Sequence, residues 1–160
     1  MVSAFLGLGS NYGNKVDNIN MAIKLLRESE QMNIKRISSL YETEPVGVNN
    51  QDDFLNCAVR IDTALDPHAL LKLVKSIERE IGRTPNSHME PRIIDIDILL
   101  YEDTDLESLD LKIPHPRLRT RRFVLEPLLE IDPDLTDPVS KRPLKDLLVA
   151  VREQRVKKCE

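Results

Sequence analysis

The sequence predicts an α+β fold: a ferredoxin-like βαββαβ core with an antiparallel sheet and helices packed on it, followed by a C-terminal helical extension. Three observations carry this. Strand-like and helix-like patterns alternate in the order β-α-β-β-α-β over the first hundred residues. The second helix is punctuated at both ends by residues that start and stop helices. The last strand of the series alternates strictly between apolar residues and the two acids Asp95 and Asp97, the pattern of a half-buried antiparallel strand. At 160 residues the chain is expected to form one domain, 1–160, with a core large enough to need no covalent staples.

The first strand runs from Val2 to about Leu8 and ends at Gly9-Ser10-Asn11, a turn-prone triplet. A helix follows on Ile19, Ala22, Ile23 and Leu26, which recur at helical spacing. Asn33 to Glu42 reads as the second strand, rich in alternating and β-branched residues, and Thr43 to Gln51 as a loop. In the third strand, Phe54 to Ile61, one face carries Phe54, Asn56, Ala58 and Arg60, the other Leu55, Cys57, Val59 and Ile61. The second helix takes Asp66 as N-cap, Pro67 at its first position, Leu70, Val74, Ile77 and Ile81 as its apolar stripe, and Gly82 as its stop. A polar loop then leads to the strand Pro91 to Leu100. Its Ile94, Ile96, Ile98 and Leu100 are expected to face the core. Beyond His115, helical stretches are expected over Phe123 to Ile131 and Leu144 to Arg152.

Asp95 and Asp97 share a face of their strand, with Cα atoms roughly 6–7 Å apart. Asp is a poor strand former, so two of them in so apolar a strand oppose local propensity, and such conflicts mark functional sites. A hard cation with oxygen ligands relieves the repulsion of two such carboxylates, and magnesium is the natural candidate. The competing reading is a plain amphipathic strand with one wet face. With the helices on one face of the sheet, the acids line the other, partly open face, and Asn56 is placed to share that cleft.

The formal net charge of −4 argues against a protein that coats nucleic acid by bulk electrostatics. An anion site must then be local, and His115, Arg117, Arg119, Arg121 and Arg122 fall within eight residues, shaped by Pro114 and Pro116. The two cysteines, Cys57 and Cys159, suggest neither a zinc site nor a disulfide framework. No apolar run is long enough to span a membrane and no secretory leader is visible, so the expectation is a cytoplasmic monomer with neither nucleic-acid nor membrane partners.

Taken in order, several segments resemble the 6-hydroxymethyl-7,8-dihydropterin pyrophosphokinase family. They are Gly9-Ser10-Asn11, Ser38 to Pro45, Phe54 to Val59, Ile77-Glu78 with Gly82-Arg83, Pro91 to Leu99, Ile113 to Pro116 and Arg121 to Leu128. Each is weak alone; their order and spacing over nearly the whole chain are specific. The resemblance implies transfer of the β,γ-diphosphate of ATP to a pterin alcohol, with release of AMP, in folate biosynthesis. It implies two Mg²⁺ ions held by Asp95 and Asp97, which with Arg83 and Arg92 make the catalytic set. ATP contacts fall to Leu71, Lys75, Glu78, Arg83, Arg92, Ile98, His115 and Arg121. The pterin lies between Phe54 and Phe123, hydrogen-bonded to Asn56 and closed in by Thr43, Glu44, Pro45 and Val46. The loops Thr43 to Asp53 and Arg83 to Glu90 are expected to rearrange around the ligands.

The stretch before Pro91-Arg92 departs from the family pattern: Met89 and Glu90 stand where the family has an aromatic and a small residue, the loop from Arg83 to Arg92 is one residue shorter, and Thr84, Pro85 and Asn86 occupy the place of a second basic residue. Met89 offers a polarisable edge in place of a stacking lid, and Glu90 brings a negative charge where a triphosphate passes. Three other readings stay open from the residues: a degenerate family member that binds pterin or ATP with weak transfer, a ferredoxin-like RNA-binding module, and a metal-dependent phosphohydrolase. The RNA module wants aromatics and basic charge where this strand offers acids. The hydrolase gives no reason for the aromatic pair.

Overall fold

The computed structural model describes residues 1–43, 53–82 and 93–159. Its frame is a mixed α/β arrangement built on one antiparallel sheet. Strands β1 (Val2–Ser10), β2 (Met32–Ile37), β3 (Tyr41–Thr43), β4 (Phe54–Thr63) and β5 (Asp95–Tyr101) are joined at the far edge by β8 (Val156–Lys158). The order is β5-β1-β4-β3-β8, with β2 also paired to β4. A two-residue ribbon, β6 (Leu106–Glu107) with β7 (Lys112–Ile113), lies apart from it.

Helices α1 (Lys15–Glu28) and α2 (Pro67–Ile81) cover one face. Asp66 Oδ1 accepts the Ala69 N–H at 2.8 Å, Pro67 opens α2, and Gly82 closes it at φ 123°, a conformation that a side chain would strain. Under these helices Ala4, Leu6, Leu8, Leu55, Cys57, Val59, Ile61, Ile94, Ile96 and Ile98 meet Ile19, Ala22, Leu26, Leu70, Val74 and Ile77. Fully burying each such aliphatic side chain contributes about 1.5–3 kcal/mol, and this layer is the larger core.

Four expectations are corrected. The first strand does not break at Gly9: β1 runs through Ser10, because Gly9 pairs with Asn56 on one side and Asp95 on the other. The segment 33–42 is two strands, since at Ser38 the ladder is continued by a side chain, whose hydroxyl accepts the Ala58 N–H at 2.8 Å. Leu100 does not share the face of Ile94, Ile96 and Ile98. A bulge between Phe5 and Leu6 offsets the pairing, so Leu99 and Leu100 both join a second core. That second core also closes much of the face expected to stay open. Helices α3 (Arg122–Ile131) and α4 (Leu144–Val149), with a 3-10 turn at Leu118–Thr120, set Leu118, Leu125, Leu128 and Leu144 against Phe5, Ala58 and Leu99. Among the described residues, the part of this face carrying Gly9, Asn56, Asp95 and Asp97 stands beyond that core.

No helix among the described residues is long and apolar enough to cross a membrane.

Candidate active site

Register places the site. On the face away from α1 and α2, one row across the sheet reads Asp95, Gly9, Asn56, Tyr41, and the next begins Asp97, Gly7, Ala58. Asp95 and Asp97 are half-buried neighbours facing glycines of β1, Gly9 and Gly7; the Leu99 side chain fills the space over Gly7, where a Cβ would lie 3.2 Å from its Cδ1. The Gly9 position is needed for space: a Cβ there would lie 2.8 Å from Asn56 Oδ1 and 3.6 Å from the Phe54 ring. Asn56 and Phe54 therefore both lean over the missing side chain. Asn56 is 8% exposed, and its Nδ2 is buried with no hydrogen-bond partner among the described residues. A buried amide donor left unpaired costs about 1–3 kcal/mol, so the site asks for an acceptor from outside the chain.

Two strand spacings separate Asp95 from Asn56, roughly 10 Å between Cα atoms. The Asn56 amide leans toward Gly9, which stands between it and Asp95 in the row. The groove thus has an acidic end and an amide end that serve different parts of a ligand. Among the described residues no group of three or more His, Cys, Asp or Glu side chains converges as a metal site. A two-carboxylate donor set fits Mg²⁺, which is commonly held by one or two carboxylates with water and phosphate oxygens completing its shell.

Glu78 stands behind the acidic strand. It is 2% exposed, its Oε2 accepts the Ile96 N–H at 2.7 Å, and its Oε1 lies 3.2 Å from Lys75 Nζ. Ile96 is the residue between the two aspartates, so α2 grips the edge strand at the point that presents them. Leu71 is half-buried against the helix-side core, and the Ile98 side chain is buried within it.

The basic segment approaches from the other side. The His115 N–H donates to the Leu99 carbonyl at 3.0 Å, which docks this segment on β5, and the Ile113–Pro114 peptide is cis. Arg119 forms a paired contact with Asp137, which is fully buried, and the guanidinium holds that carboxyl down at about 2. His115 is lowered to about 4, first by burial and then by Arg121 and Arg117, with Asp95 opposing them. Its Nδ1 accepts the Arg117 N–H at 3.1 Å, which leaves the proton of the neutral ring on Nε2. Arg121 carries its guanidinium 5.3 Å above the Phe123 ring at the start of α3.

A lowered histidine pKa has a consequence for stability. Between about pH 6.5 and 4 the unfolded chain binds a proton at His115 that the folded chain does not, so stability rises with pH across that window, by at most about 3 kcal/mol. Urea unfolding of the ligand-free protein at intervals from pH 7 to 4 measures this. His115→Gln should be relatively more stable at the acid end, and a variant that tracks the wild type throughout would count against the assignment.

The structure brings Asp95, Asp97, Lys75, Glu78, His115 and Arg121 to one end of the sheet, and Asn56, Phe54 and Thr43 to neighbouring rows of the same face. Arg83, Arg92, Glu44, Pro45 and Val46, with Met89 and Glu90, lie outside the described residues. Sequence reasoning missed Tyr41, buried in the Asn56 row with its hydroxyl donating to Glu130 Oε1 at 2.5 Å. Its alternation with Thr43 was a usable signal; its partner, 89 residues away, was not.

The family described as 7,8-dihydro-6-hydroxymethylpterin-pyrophosphokinase (HPPK) matches residues 5–133. The chain is 43% identical over 146 residues to a 2-amino-4-hydroxy-6-hydroxymethyldihydropteridine pyrophosphokinase of Aquifex aeolicus, covering 91% of this chain and 90% of that protein. It is 42% identical over 154 residues to the folic acid synthesis protein fol1 of Schizosaccharomyces pombe, covering 96% of this chain but 21% of that longer protein. A crystal structure of Plasmodium falciparum HPPK-DHPS superposes with a TM-score of 0.72 at 21% identity, over 94% of this chain and 43% of that one, a likeness of fold.

Proposed function

The chain belongs to the 7,8-dihydro-6-hydroxymethylpterin-pyrophosphokinase family, and from that premise we propose how its groove divides the work of ATP-dependent diphosphate transfer to 6-hydroxymethyl-7,8-dihydropterin in folate synthesis. The observation that carries the reading is the row across the sheet: a paired acidic end, a glycine floor and an unpartnered buried amide.

Asn56 Nδ2 donates to an acceptor on the polar edge of the pterin, whose flat ring rests against Phe54 and Phe123, with Thr43, Glu44, Pro45 and Val46 at its border. Asp95 and Asp97 hold two Mg²⁺ ions, which when bound neutralise polyphosphate charge and steady the attacking and leaving oxygens. Lys75 and Arg121 bring positive charge to the same end. His115 serves as a donor through Nε2–H, since its Nδ1 lone pair is already engaged by Arg117. Leu71 and the backbone at Ile98 border the adenine, and Glu78 contributes by holding the strand between the two acids. Arg83 and Arg92 stabilise charge on the transferring group, a task that suits a permanently protonated fork. In the reaction the hydroxymethyl oxygen forms a bond to the β-phosphorus in line with the bridging oxygen. That oxygen departs with AMP, and the hydroxyl proton passes to solvent. Positioning and charge neutralisation supply most of such a rate. We also read the sheet as ferredoxin-like, and residues 1–160 as one monomeric catalytic domain.

The experiment is product analysis. Incubated with Mg-ATP and the pterin alcohol, the protein should yield AMP and the pterin diphosphate in equal amounts. ADP would mean single phosphoryl transfer, free phosphate would mean hydrolysis, and either as the main product overturns the reading.

A further inference from the structure

The helix that carries Phe123 begins without a cap of its own. The chain leaves the 3-10 turn at Thr120, passes through Arg121 in extended backbone (φ −124°, ψ 111°) and enters α3, and no side chain of the cap residue accepts from its first N–H groups. Such groups need partners from elsewhere. The partner comes from the C-terminal segment: Gln154 Oε1 accepts the Arg122 N–H at 2.8 Å while its Nε2 donates to the Thr120 carbonyl at 2.8 Å. One amide thus brackets the two peptide groups on either side of Arg121. Arg122 answers in kind, its guanidinium donating to the carbonyls of Arg152 and Gln154 at 2.8 and 2.9 Å. Two residues further on, β8 pairs with β3, and the Cys159 N–H donates to the Leu40 carbonyl at 2.8 Å, which anchors the far end of the segment beside Tyr41 and Thr43.

We infer that Gln154 is a positioning residue for Arg121 and Phe123. By fixing the backbone on both sides of Arg121 it sets the direction in which that guanidinium leaves the helix start and where the stacked Phe123 ring stands. The inference rests on the reading above that Arg121 faces the polyphosphate and Phe123 the pterin. The segment lies beyond residue 133, where the family match ends.

A double-mutant cycle tests it on the full chain. Gln154→Met keeps the volume and removes both hydrogen bonds. It should lower kcat/KM about five- to tenfold, the scale of a lost helix cap, and it should speed amide exchange at Arg122 by a similar factor. In an Arg121→Ala background the same change should cost less than about twofold, because a residue acting through Arg121 has nothing left to orient. Gln154→Glu, which keeps the acceptor for the Arg122 N–H and loses only the donor to Thr120, gives the same cycle with a smaller loss if the Met variant folds poorly. Equal losses in both backgrounds overturn the inference, as does unchanged kcat/KM when Arg122 exchange has accelerated. Failure of the underlying reading looks different: Arg121→Ala alone would leave kcat/KM intact.

Discussion

Asp97→Ala is expected to lower turnover by roughly 10²–10³-fold, equivalent to about 3–4 kcal/mol of transition-state stabilisation, with the melting temperature within about 4 °C of the wild type. Asp95→Ala should behave alike. The reason lies in their placement: both side chains are half-buried on the rim of the groove, outside the two apolar cores, so their removal leaves no cavity. Loss of activity with retention of fold separates this account from the plain amphipathic strand, in which the pair is only the solvated face of β5. Single-turnover formation of AMP, followed together with thermal unfolding of the same samples, gives both numbers. A variant that makes AMP at near wild-type rate would remove the acids from the chemistry. One that fails to fold would make them structural.

Asn56→Ala should separate stability from affinity in the opposite direction to most buried substitutions. Deleting a buried donor that has no partner relieves a cost, so the ligand-free protein should be as stable as the wild type or more so. The same deletion should weaken binding of the pterin alcohol by about 10- to 100-fold, the worth of roughly 1–3 kcal/mol for a desolvated hydrogen bond. Binding of a nonhydrolysable ATP analogue should stay unchanged, because Asn56 is assigned to the pterin and the acids to the polyphosphate. Gly9→Ala makes the same point sterically: its Cβ would press within 2.8 Å of Asn56 Oδ1, so the amide must swing away. Calorimetric titration of each ligand separately reads these effects. Pterin affinity within twofold of wild type in both variants would mean that Asn56 faces no ligand.

What the sequence disclosed was local. Asp66, Pro67 and Gly82 mark the ends of α2 because caps and stops act within one helical turn. Asp95 and Asp97 were legible as a pair because alternation alone puts them on one face. The opposite assignment of Leu100 fails for a reason no alternation reveals: the bulge depends on how β5 meets β1, not on β5 itself. Gly9 likewise reads as a turn signal in isolation, and only its two partners make it the floor of a groove. The division of 33–42 turns on one serine hydroxyl reaching Ala58 across 20 residues. The covering of the second face by α3 and α4, and the strand β8 that closes the sheet, depend on apolar contacts and pairings between distant parts of the chain. The same holds at the candidate site, where residue types announced the acids and the basic cluster. The supports behind them, Glu78 on the Ile96 N–H and Gln154 around Arg121, are long-range hydrogen bonds without a local signature.

The central claim is that Asp95 and Asp97 together hold the divalent ions that bring the polyphosphate into the groove. Manganese substituted for magnesium, with a nonhydrolysable ATP analogue and the pterin alcohol present, allows bound ions to be counted by electron paramagnetic resonance. The wild type should hold about two ions per chain, in keeping with a two-metal displacement, while Asp97→Ala should lose at least one of them and bind the remainder more weakly. Full and equally tight manganese occupancy in the variant would contradict the account.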